Sequence, residues 1–370
     1  MAANILKVAL DVPLDRLFDY LDGGYHVDIG QRVLVPFGRR SVVGVVVGIS
    51  DTSEFALEKL KAISGVFNDE QSLDADTFGL IRFCADYYQY PFGQALLASL
   101  PARLRQTQPA VARKQFLYAL TPQGEQADVE AIPARQSVQR KVLLALKQGK
   151  LNEAALKEIS ATWRKAVEAL QQQGWVFAEQ VLAGFGSSNA AVPAPALNDE
   201  QSQAVAHVVA STGEFKPFLL HGITGSGKTE VYMQILQQML ADNDGQALVL
   251  VPEINLTPQL EARFRNRLPH LPLVSLHSNL SESERLQNWR LAQSGQARII
   301  IGTRLAVFTP IPKLKIVMVD EEHDGSYKQQ DSMRYHARDV AMVRAQRTKV
   351  PMLMGSATPA LETWQNAQTY

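Results

Sequence analysis

Hydrophobic positions near the start of the chain fall in short runs with the spacing of β-strands. Between residues 4 and 66 the runs ILKVALDV, QRVLVPFG and SVVGVVVGIS alternate with Gly, Pro and Asp turns. Short strands in close succession predict a small barrel or rolled sheet. A helical stretch, LDADTFGLIRFCADYYQYPFGQALLASLP, follows and is closed by Pro101.

From residue 114 to 180 the apolar pattern becomes mainly helical. The strand FLYAL precedes three helix-like segments, SVQRKVLLALKQG, NEAALKEIS and ATWRKAVEALQQQG, and the strand WVFAEQV ends the stretch. Three helices followed by a β-ribbon predict a winged helix. Such a fold contacts DNA in some proteins and serves as a spacer or protein contact in others, and both roles stay open. Residues 181–198, rich in Gly, Ser, Ala and Pro, have the composition of a linker.

From residue 199 onward nearly all-apolar strands alternate with helices. The strand runs are PFLLHGI, ALVLVPE, LVSLHS, RIIIGT, IVMVDEE and PMLMGSA. Strands that are apolar on both faces and separated by helices predict a mostly parallel sheet covered on both sides. We therefore predict a multidomain chain, with a β-rich domain at 1–109, a winged helix at 110–180, a linker at 181–198 and an α/β domain at 199–370.

Composition limits the class of protein and its setting. The 370 residues are 46% hydrophobic and 20% charged, which is ordinary for a globular protein. With 37 basic and 37 acidic residues the formal net charge is zero, so any nucleic-acid contact must be local. The single cysteine, Cys84, excludes an intrachain disulfide and a multi-cysteine zinc site within this stretch, and it indicates a reducing cytoplasm. The sequence has neither a signal-peptide core nor a spanning apolar run, and no membrane partner is expected.

The strongest chemical signal is a phosphate loop between an apolar strand and a helix. Residues 222–229 read GITGSGKT, a complete GxxxxGK[ST] motif. Glycines let backbone amides curl around phosphate oxygens, and the helix N-terminus adds its positive end. Lys228 can reach the β and γ phosphates of ATP, and the Thr229 hydroxyl can ligate Mg²⁺. The residues expected to bind the nucleotide here are Gly222, Thr224, Gly225, Ser226, Gly227, Lys228 and Thr229.

An acidic box follows a second strand about ninety residues further along. The run IVMV ends in Asp320, Glu321, Glu322 and His323. Asp320 can bind Mg²⁺, and Glu321 can act on the attacking water. By itself such a box is a solvated turn more often than a catalytic site, and its pairing with the phosphate loop is what favours catalysis. The predicted catalytic residues are Lys228, Asp320, Glu321 and His323, and the predicted Mg²⁺ ligands are Thr229 and Asp320.

A polar run ahead of the phosphate loop has two interpretations. Asn198 or Asp199 is predicted to cap the helix that follows. Gln201 belongs either to this cap or to the nucleotide site, where it would hydrogen-bond the adenine edge. The residues alone leave both open.

Four ordered motifs resemble those of superfamily 2 helicases. They are GITGSGKT, the GTR at 302–304, the DEEH at 320–323 and the SAT at 356–358. Longer stretches, TGSGKTEVY, VPEINLTPQ, FTP, DEEHDGSYKQQ, RYHARD and GSATPALET, look like the bacterial replication-restart helicases, with Asn255 a small departure. LFDYL and RVLVPFG resemble that family's N-terminal domain for the 3' end of DNA. The resemblance implies a RecA-like P-loop lobe that uses ATP and Mg²⁺.

The same resemblance implies a pocket for the terminal nucleotide of a nascent strand. It is formed by Phe18, Asp19, Tyr20, Gly38 and Lys61. An aromatic ring can stack on the last base, a carboxylate can accept a bond from the free 3' hydroxyl, and a lysine can meet phosphate. The alternative is that Phe18 and Tyr20, which flank a turn, pack into a core.

Residues 324–339 mix aromatic and basic side chains. The resemblance implies an aromatic-rich loop that couples DNA binding to ATP hydrolysis, and a plain surface loop is the alternative. Rings interleaved with cations suit single-stranded DNA through stacking and phosphate contacts. The expected DNA contacts here are Tyr327, Lys328, Arg334, Tyr335 and Arg338.

Further roles come from the resemblance alone. Thr303, Arg304 and the helix that begins near Thr257 would touch the DNA backbone. Ser356 and Thr358 would relay the state of the nucleotide to the DNA site.

The whole pattern predicts an ATP-dependent 3' to 5' DNA helicase that recognises abandoned forks and initiates primosome assembly. The expected partners are forked and single-stranded DNA, primosome proteins and single-stranded DNA-binding protein. The sequence stops after the SAT motif, so the second RecA-like lobe and a zinc site are expected only beyond it, and this stretch is expected to unwind poorly. The alternatives are a non-catalytic fork-binding and protein-interaction module, or another superfamily 2 DNA translocase.

Overall fold

The computed structural model describes residues 4–69, 71–110, 115–181, 193–242, 244–253 and 258–369. The chain divides into two compact units, one made of residues 1–111 together with 188–370, and the other of residues 112–187. We call residues 4–110 the front region, residues 115–181 the middle unit and residues 193–369 the lobe. Asn255, Thr257 and most of the predicted linker lie outside the described residues.

The front region is built on a rolled antiparallel sheet. Its strands are β1 (Ile5–Leu10), β2 (Phe18–Leu21), β3 (Arg32–Phe37), β4 (Arg40–Ser50) and β5 (Gly65–Val66). They are ordered β2-β1-β4-β3-β5. The chain just before β5 also pairs with β2 at the opposite edge, through the bridge between Leu21 and Ala62. The sheet therefore curls around its own apolar face, which includes Leu6, Val8 and Val33.

The part of the front region that the sequence predicts as one helical stretch contains two helices. They are α1 (Ala75–Tyr87) and α2 (Phe92–Ser99). The break falls at Gln89, which has φ of 50°, and at Pro91, which precedes the first residue of α2. Proline lacks an N–H and disfavours a helical residue before it, so one continuous helix cannot form. Gly93 lets α2 approach β1, because a Cβ there would lie 2.0 Å from Leu10 O.

The middle unit combines helices with a three-stranded sheet whose strands are β6 (Gln115–Leu120), β7 (Leu151–Asn152) and β8 (Val176–Val181), in the order β7-β6-β8. Leu143, Leu156, Trp163 and Leu170 form its buried core. The helical segments bury these residues at helical spacing, as their periodicity predicts. The helices are α3 (Pro122–Gln126), α4 (Ser137–Lys147), α5 (Glu153–Ile159) and α6 (Trp163–Gln172).

The lobe is a six-stranded parallel sheet with helices. Its strands are β9 (Pro217–His221), β10 (Gln246–Leu250), β11 (Leu273–Leu276), β12 (Ile299–Gly302), β13 (Leu314–Val319) and β14 (Met352–Ser356). They are ordered β11-β12-β10-β13-β14-β9, and every neighbouring pair is parallel. The helices are α7 (Asp199–Ala210), α8 (Lys228–Met239), α9 (Pro258–Arg267), α10 (Glu282–Gln293), α11 (Ala337–Thr348) and α12 (Leu361–Thr369).

The lobe confirms the predicted RecA-like α/β architecture. Its central strands are buried along their whole length, which explains why they read as continuous apolar runs. Because all six strands run the same way, their carboxyl ends lie at one edge of the sheet. Among the described residues, none of the helices is both long and apolar enough to cross a membrane.

Candidate functional site

Three neighbouring strands deliver the predicted nucleotide residues to the carboxyl edge of the lobe's sheet. The phosphate loop follows β9, Ser356 ends β14, and Asp320 follows β13. The Lys228 ammonium lies 3.7 Å from the Glu321 carboxylate. Segments separated by about ninety residues in the chain therefore meet around one site.

The phosphate loop has a backbone shape that requires glycine. Gly225 and Gly227 have φ of 82° and 86°, in the left-handed region that L side chains rarely adopt. Gly227 directly precedes α8, so the amides of its first turn face the loop. Lys228 Nζ donates to Gly222 O at 2.8 Å, which curls the lysine over the loop. Residues 223–226, which include Thr224 and Ser226, are exposed, as a phosphate cradle must be.

Asp320 is held by two buried tyrosines. The Tyr232 hydroxyl donates to Asp320 Oδ1 at 2.9 Å, and the Tyr327 hydroxyl donates to the Asp320 backbone carbonyl at 2.6 Å. Burial raises the pKa of the Asp320 carboxyl, and the hydrogen bond from Tyr232 opposes that rise. Gly355 leaves the space for this hydroxyl, since a Cβ there would lie 1.6 Å from it. The carboxylate therefore reaches the site with a fixed orientation.

Glu321 stands in a strained conformation between Lys228 and His323. Its φ is 43°, unusual for a residue other than glycine. Its carboxylate lies 3.7 Å from Lys228 Nζ and 3.8 Å from His323 Nδ1. A carboxylate in this place suits the role of orienting an attacking water.

His323 connects the acidic box to the SAT motif. Its Nδ1 lies 2.7 Å from Ser356 Oγ, and its Nε2 lies 3.2 Å from Thr358 Oγ1. The Thr358 N–H also donates to Ser356 Oγ at 3.0 Å. The two predicted coupling residues therefore contact the last residue of the box directly.

Glu322 is the member of the box that faces inward. It is fully buried and accepts bonds from Arg338 at 2.9 Å, from Thr363 at 2.9 Å and from the Ala360 N–H at 2.6 Å. A buried carboxylate needs such a complete set of partners. Arg338, predicted to contact DNA, thus has an ion pair here and a second one with Asp339. Its DNA contact stays a prediction.

Gln201 forms part of the predicted cap and also contacts the phosphate loop. Its Oε1 accepts from the Asn198 N–H at 3.0 Å and completes a capping box at the start of α7. Its Nε2 donates to Ser226 O in the phosphate loop at 2.9 Å. A contact with adenine stays a prediction, because both ends of this amide already have protein partners.

The donor set fits Mg²⁺ and a triphosphate. A glycine cradle, one ammonium, a hydroxyl at Thr229 and a carboxylate at Asp320 offer the atoms that such a ligand needs. A Cβ on Gly222 would lie 2.6 Å from Ser226 Oγ, so side chains larger than hydrogen would crowd the cradle. Lys228 and Thr229 would hold the phosphates and metal from one side, and Asp320 from the other.

All five residues predicted for the DNA end line one cavity of the front region. We call it the end pocket; its volume is about 660 Å³, and Phe18, Asp19, Tyr20, Gly38 and Lys61 are among its lining residues. Gly38 has φ of 60° and open space where its Cβ would be. A nucleotide could therefore approach this backbone closely.

Asp19 is the buried anion of the end pocket. Its Oδ2 accepts from Lys7 Nζ at 2.8 Å and from Ser53 Oγ at 2.6 Å. Both bonds end on the same oxygen, which leaves Oδ1 for a further donor. Neither Lys7 nor Ser53 is predicted from the sequence. Lys7 lies opposite Asp19 on the neighbouring strand, in a register that the sequence by itself does not specify.

The two aromatic rings of the end pocket have different surroundings. Tyr20 is buried in the core of the front region, and its hydroxyl donates to Pro36 O at 3.1 Å. Phe18 is half-buried and meets Phe37 edge to face at 5.4 Å. Phe18 is therefore the more accessible of the two rings.

Residues 328–336 form a hairpin through the antiparallel bridge between Lys328 and His336. Tyr327, just before it, and Tyr335 within it are both buried, and Tyr335 packs edge to face on Phe308 at 5.0 Å. Lys328 Nζ donates to Arg334 O at 2.5 Å. Base stacking by either tyrosine would require its ring to leave the interior, and the predicted DNA contacts of this segment stay predictions.

Thr303 and Arg304 follow the carboxyl end of β12, on the part of the sheet edge away from the phosphate loop. Thr303 is buried, and Arg304 Nη1 donates to Ser326 O at 3.2 Å. The structure thus joins the GTR motif to the turn that carries Tyr327.

Tyr232, Gly355 and Glu322 complete the site but are not predicted from the sequence. A signal for Tyr232 exists, because it lies four residues after Lys228 and so on the same face of α8. No comparable signal marks Gly355, whose role depends on a side chain from another part of the chain.

Two family models match the chain. One, described as a 3'DNA-binding domain, matches residues 7–101, and the other, described as a DEAD/DEAH box helicase, matches residues 198–367.

Curated relatives match along nearly the whole chain. The protein named Replication restart protein PriA from Haemophilus influenzae is 39% identical over 99% of this chain and 50% of its own length. The protein of the same name from Bacillus subtilis is 30% identical over 99% of this chain and 54% of its own length. A solved structure of RecG bound to a three-way DNA junction is also similar. The match covers 48% of this chain and 23% of the RecG chain, at 21% identity and a TM-score of 0.36. The chain spans about half the length of the curated relatives it matches.

Proposed function

We propose that this chain recognises DNA ends at forks and binds the ATP that drives unwinding. Its family matches are a PriA 3'DNA-binding domain and a DEAD/DEAH box helicase domain, and they are consistent with the N-terminal half of replication restart protein PriA. The proposal rests on one observation. The end pocket and the nucleotide edge belong to the same compact unit.

ATP use follows from the helicase domain and from the geometry of the sheet edge. The glycine cradle and Lys228 would bind the phosphates, with Thr229 and Asp320 holding Mg²⁺. Bound Mg²⁺ would neutralise charge that develops on the transferring phosphate. Glu321 lies close enough to Lys228 to orient a water toward the same phosphate. His323, through Ser356 and Thr358, would report the state of the nucleotide to the rest of the lobe.

DNA recognition is proposed for the end pocket. Asp19 would accept a hydrogen bond from a free 3' hydroxyl, Phe18 would stack on the last base, and Lys61 would meet phosphate. The whole protein would then unwind DNA with 3' to 5' polarity at abandoned forks in the bacterial cytoplasm. Primosome proteins and single-stranded DNA-binding protein are its proposed partners. Residues 1–370 by themselves are expected to bind DNA and nucleotide but to unwind poorly, since two RecA-like lobes close on one ATP in such motors.

The test compares forks that end at the junction in a 3' hydroxyl or a 3' phosphate, with and without Mg²⁺-ATP. We expect tighter binding to the hydroxyl end by about tenfold or more, as a hydrogen bond to a charged group contributes. Asp19→Ala should abolish this preference, and Lys228→Ala should abolish nucleotide binding while leaving the preference intact.

Two outcomes would contradict the proposal. Equal binding to forks with a 3' hydroxyl and a 3' phosphate would contradict the recognition of a free 3' end and favour another kind of DNA translocase. A whole protein that shows no DNA-stimulated ATPase activity, and whose phenotype is unchanged by Lys228→Ala, would contradict the motor and favour a non-catalytic binding module.

A further inference from the structure

The C-terminal end of α1 in the front region touches the hairpin of residues 328–336 in the lobe. The Tyr88 hydroxyl accepts a hydrogen bond from the His336 N–H at 3.2 Å. Lys328 Nζ lies over the Tyr88 ring, 5.5 Å from its centre, within the range of a cation–π contact. Lys328 and His336 are the two residues whose bridge closes the hairpin. One side chain of the front region therefore holds both sides of the hairpin base.

Close packing around α1 keeps Tyr88 in this place. α1 packs against α11 and against the turn of residues 304–308. Gly79 of α1 permits this approach, because a Cβ at this position would collide with the Arg347 guanidinium of α11. The Tyr87 ring meets the Tyr88 ring edge to face, with 4.9 Å between the ring centres. Tyr88 thus stands on a helix that is itself seated on the lobe.

Both ends of the hairpin are joined to the acidic box. Tyr327, directly before the hairpin, donates through its hydroxyl to the Asp320 carbonyl at 2.6 Å. Arg338, just after the hairpin, forms an ion pair with Glu322 at 2.9 Å. A shift of the hairpin base would therefore move two groups that hold the acidic box. The contact with Tyr88 lies on the other side of that base.

The tyrosines around Tyr88 differ from it in their contacts. Tyr87, Tyr88 and Tyr90 lie at the end of α1 and just after it. Within the part of the chain that the structure describes, the hydroxyl of Tyr88 has a hydrogen-bond partner, whereas those of Tyr87 and Tyr90 have none. Tyr87 is also 68% exposed. The contact with the hairpin is therefore specific to one tyrosine of the three.

We propose that Tyr88 is a positioning residue of the motor, which fixes the base of the hairpin and so lets DNA bound at the hairpin accelerate ATP hydrolysis. The proposal rests on the proposed function and deepens it, because it makes the front region part of the motor as well as the reader of a DNA end. Tyr88 does not line the end pocket, so a change at Tyr88 should leave recognition of a 3' hydroxyl intact.

The test measures ATP hydrolysis by the whole protein, with and without a single-stranded DNA oligomer that ends in a 3' phosphate. Tyr88→Phe removes the hydrogen bond to His336 and keeps the ring beside Lys328. We expect the maximal DNA-stimulated rate to fall by about fivefold, the scale of one neutral hydrogen bond. The rate without DNA and the KM for ATP should not change. Tyr88→Leu also removes the ring, and the fall should then reach roughly twentyfold.

Tyr87→Phe is the matched control, because it removes an exposed hydroxyl from the same end of α1. It should leave the DNA-stimulated rate unchanged. The preference for forks with a 3' hydroxyl over a 3' phosphate reports whether the front region is folded, and it should be the same in all of these variants.

A double-mutant cycle with Lys328→Met tests whether Tyr88 acts through the hairpin base. Tyr88→Leu should lower the DNA-stimulated rate by about two- to fivefold less in the Lys328→Met background than by itself, as loss of a shared cation–π contact gives. Losses that multiply independently would overturn the assignment of Tyr88 to the hairpin base.

Two further results would overturn the proposal and leave the proposed function standing. One is a DNA-stimulated rate that Tyr88→Leu does not lower. The other is an equal fall of the rates with and without DNA, because a residue with a merely structural role affects both. Absence of ATP hydrolysis from the unchanged whole protein would instead contradict the proposed function and this proposal together.

Discussion

The nucleotide edge of the lobe and the end pocket of the front region gather their residues in different ways. At the nucleotide edge, segments that follow β9, β13 and β14 meet because parallel strands point their carboxyl ends the same way. In the end pocket, Asp19 meets Lys7 across an antiparallel pair and Ser53 from the loop after β4. The first arrangement follows from strand direction alone, whereas the second depends on which strands pair and in which register.

The two sites also differ in how tightly their central carboxylate is fixed. Asp320 is held through both its side chain and its backbone by buried tyrosines, with no space beside Gly355. Asp19 is held by one lysine and one serine at the wall of an open cavity. A substitution near Asp320 must therefore disturb packing as well as charge, while one near Asp19 should change charge alone.

The largest expected effect is that of Gly355→Ala. The new Cβ would lie 1.6 Å from the Tyr232 hydroxyl and would displace it from Asp320. We expect a loss of stability of about 1–3 kcal/mol, typical of overpacking, together with weaker binding of Mg²⁺-ATP. Thermal unfolding and nucleotide titration measure the two effects.

Gly325→Ala is the matched control, because a Cβ there meets no atom within 4 Å. Adding Tyr232→Phe to Gly355→Ala should recover part of the lost stability. An unchanged melting temperature for Gly355→Ala would show that the Asp320 site is as tolerant as the end pocket.

Tyr232→Phe should have an intermediate effect. It removes the hydrogen bond that lowers the pKa of Asp320. The effect of burial on this pKa is then no longer opposed by Tyr232, and the pKa rises further. Mg²⁺ binds the ionised carboxylate, and Mg²⁺-dependent nucleotide binding is therefore lost as the pH falls through this pKa, which lies above the ordinary 3.8. In the variant this loss should begin at a higher pH, and Mg²⁺ dependence at neutral pH should weaken by about tenfold.

Nucleotide titrations across pH and Mg²⁺ concentration measure this shift, with Tyr118→Phe of the middle unit as the control for losing a tyrosine hydroxyl. If Tyr232→Phe loses Mg²⁺-dependent nucleotide binding at the same low pH as the unchanged protein, then Tyr232 only packs and does not orient Asp320.

The smallest expected effect is that of Lys7→Ala. Lys7 is 28% exposed in its side chain, so its ion pair with Asp19 is partly screened by water. We expect the preference for a 3' hydroxyl over a 3' phosphate end to fall by about two- to fivefold. Lys59→Ala, which alters the same cavity without touching Asp19, should weaken binding to both ends equally. A Lys7→Ala effect as large as that of Asp19→Ala would mean that the end pocket is as tightly organised as the nucleotide edge.

Much of the nucleotide edge could be predicted from the sequence, because its motifs are continuous. Residues 222–229 and 320–323 each carry their own signature, and apolar runs before them indicate strands. The partners of these motifs could not be predicted. Glu322 reads like its catalytic neighbours but is fully buried, and the chain order does not reveal that Thr363 and Arg338 surround it.

The burial of tyrosines was the property of both sites that was harder to predict from the sequence. Tyr20 and Tyr327 were both candidates for contacts with DNA, yet both are buried. The reason is that a tyrosine can place its hydroxyl on an internal carbonyl, Pro36 O for Tyr20 and Asp320 O for Tyr327. Which carbonyl lies within reach depends on the folded chain.

The sequence by itself determined the parallel α/β lobe, the β-rich front region and the phosphate loop, because local periodicity and contiguous motifs encode them. Only the tertiary structure decided that Tyr232 and Gly355 meet at Asp320 and that Lys7 and Ser53 share one oxygen of Asp19. These contacts join residues far apart in the chain, and the order of residues along the chain does not specify which distant side chains become neighbours.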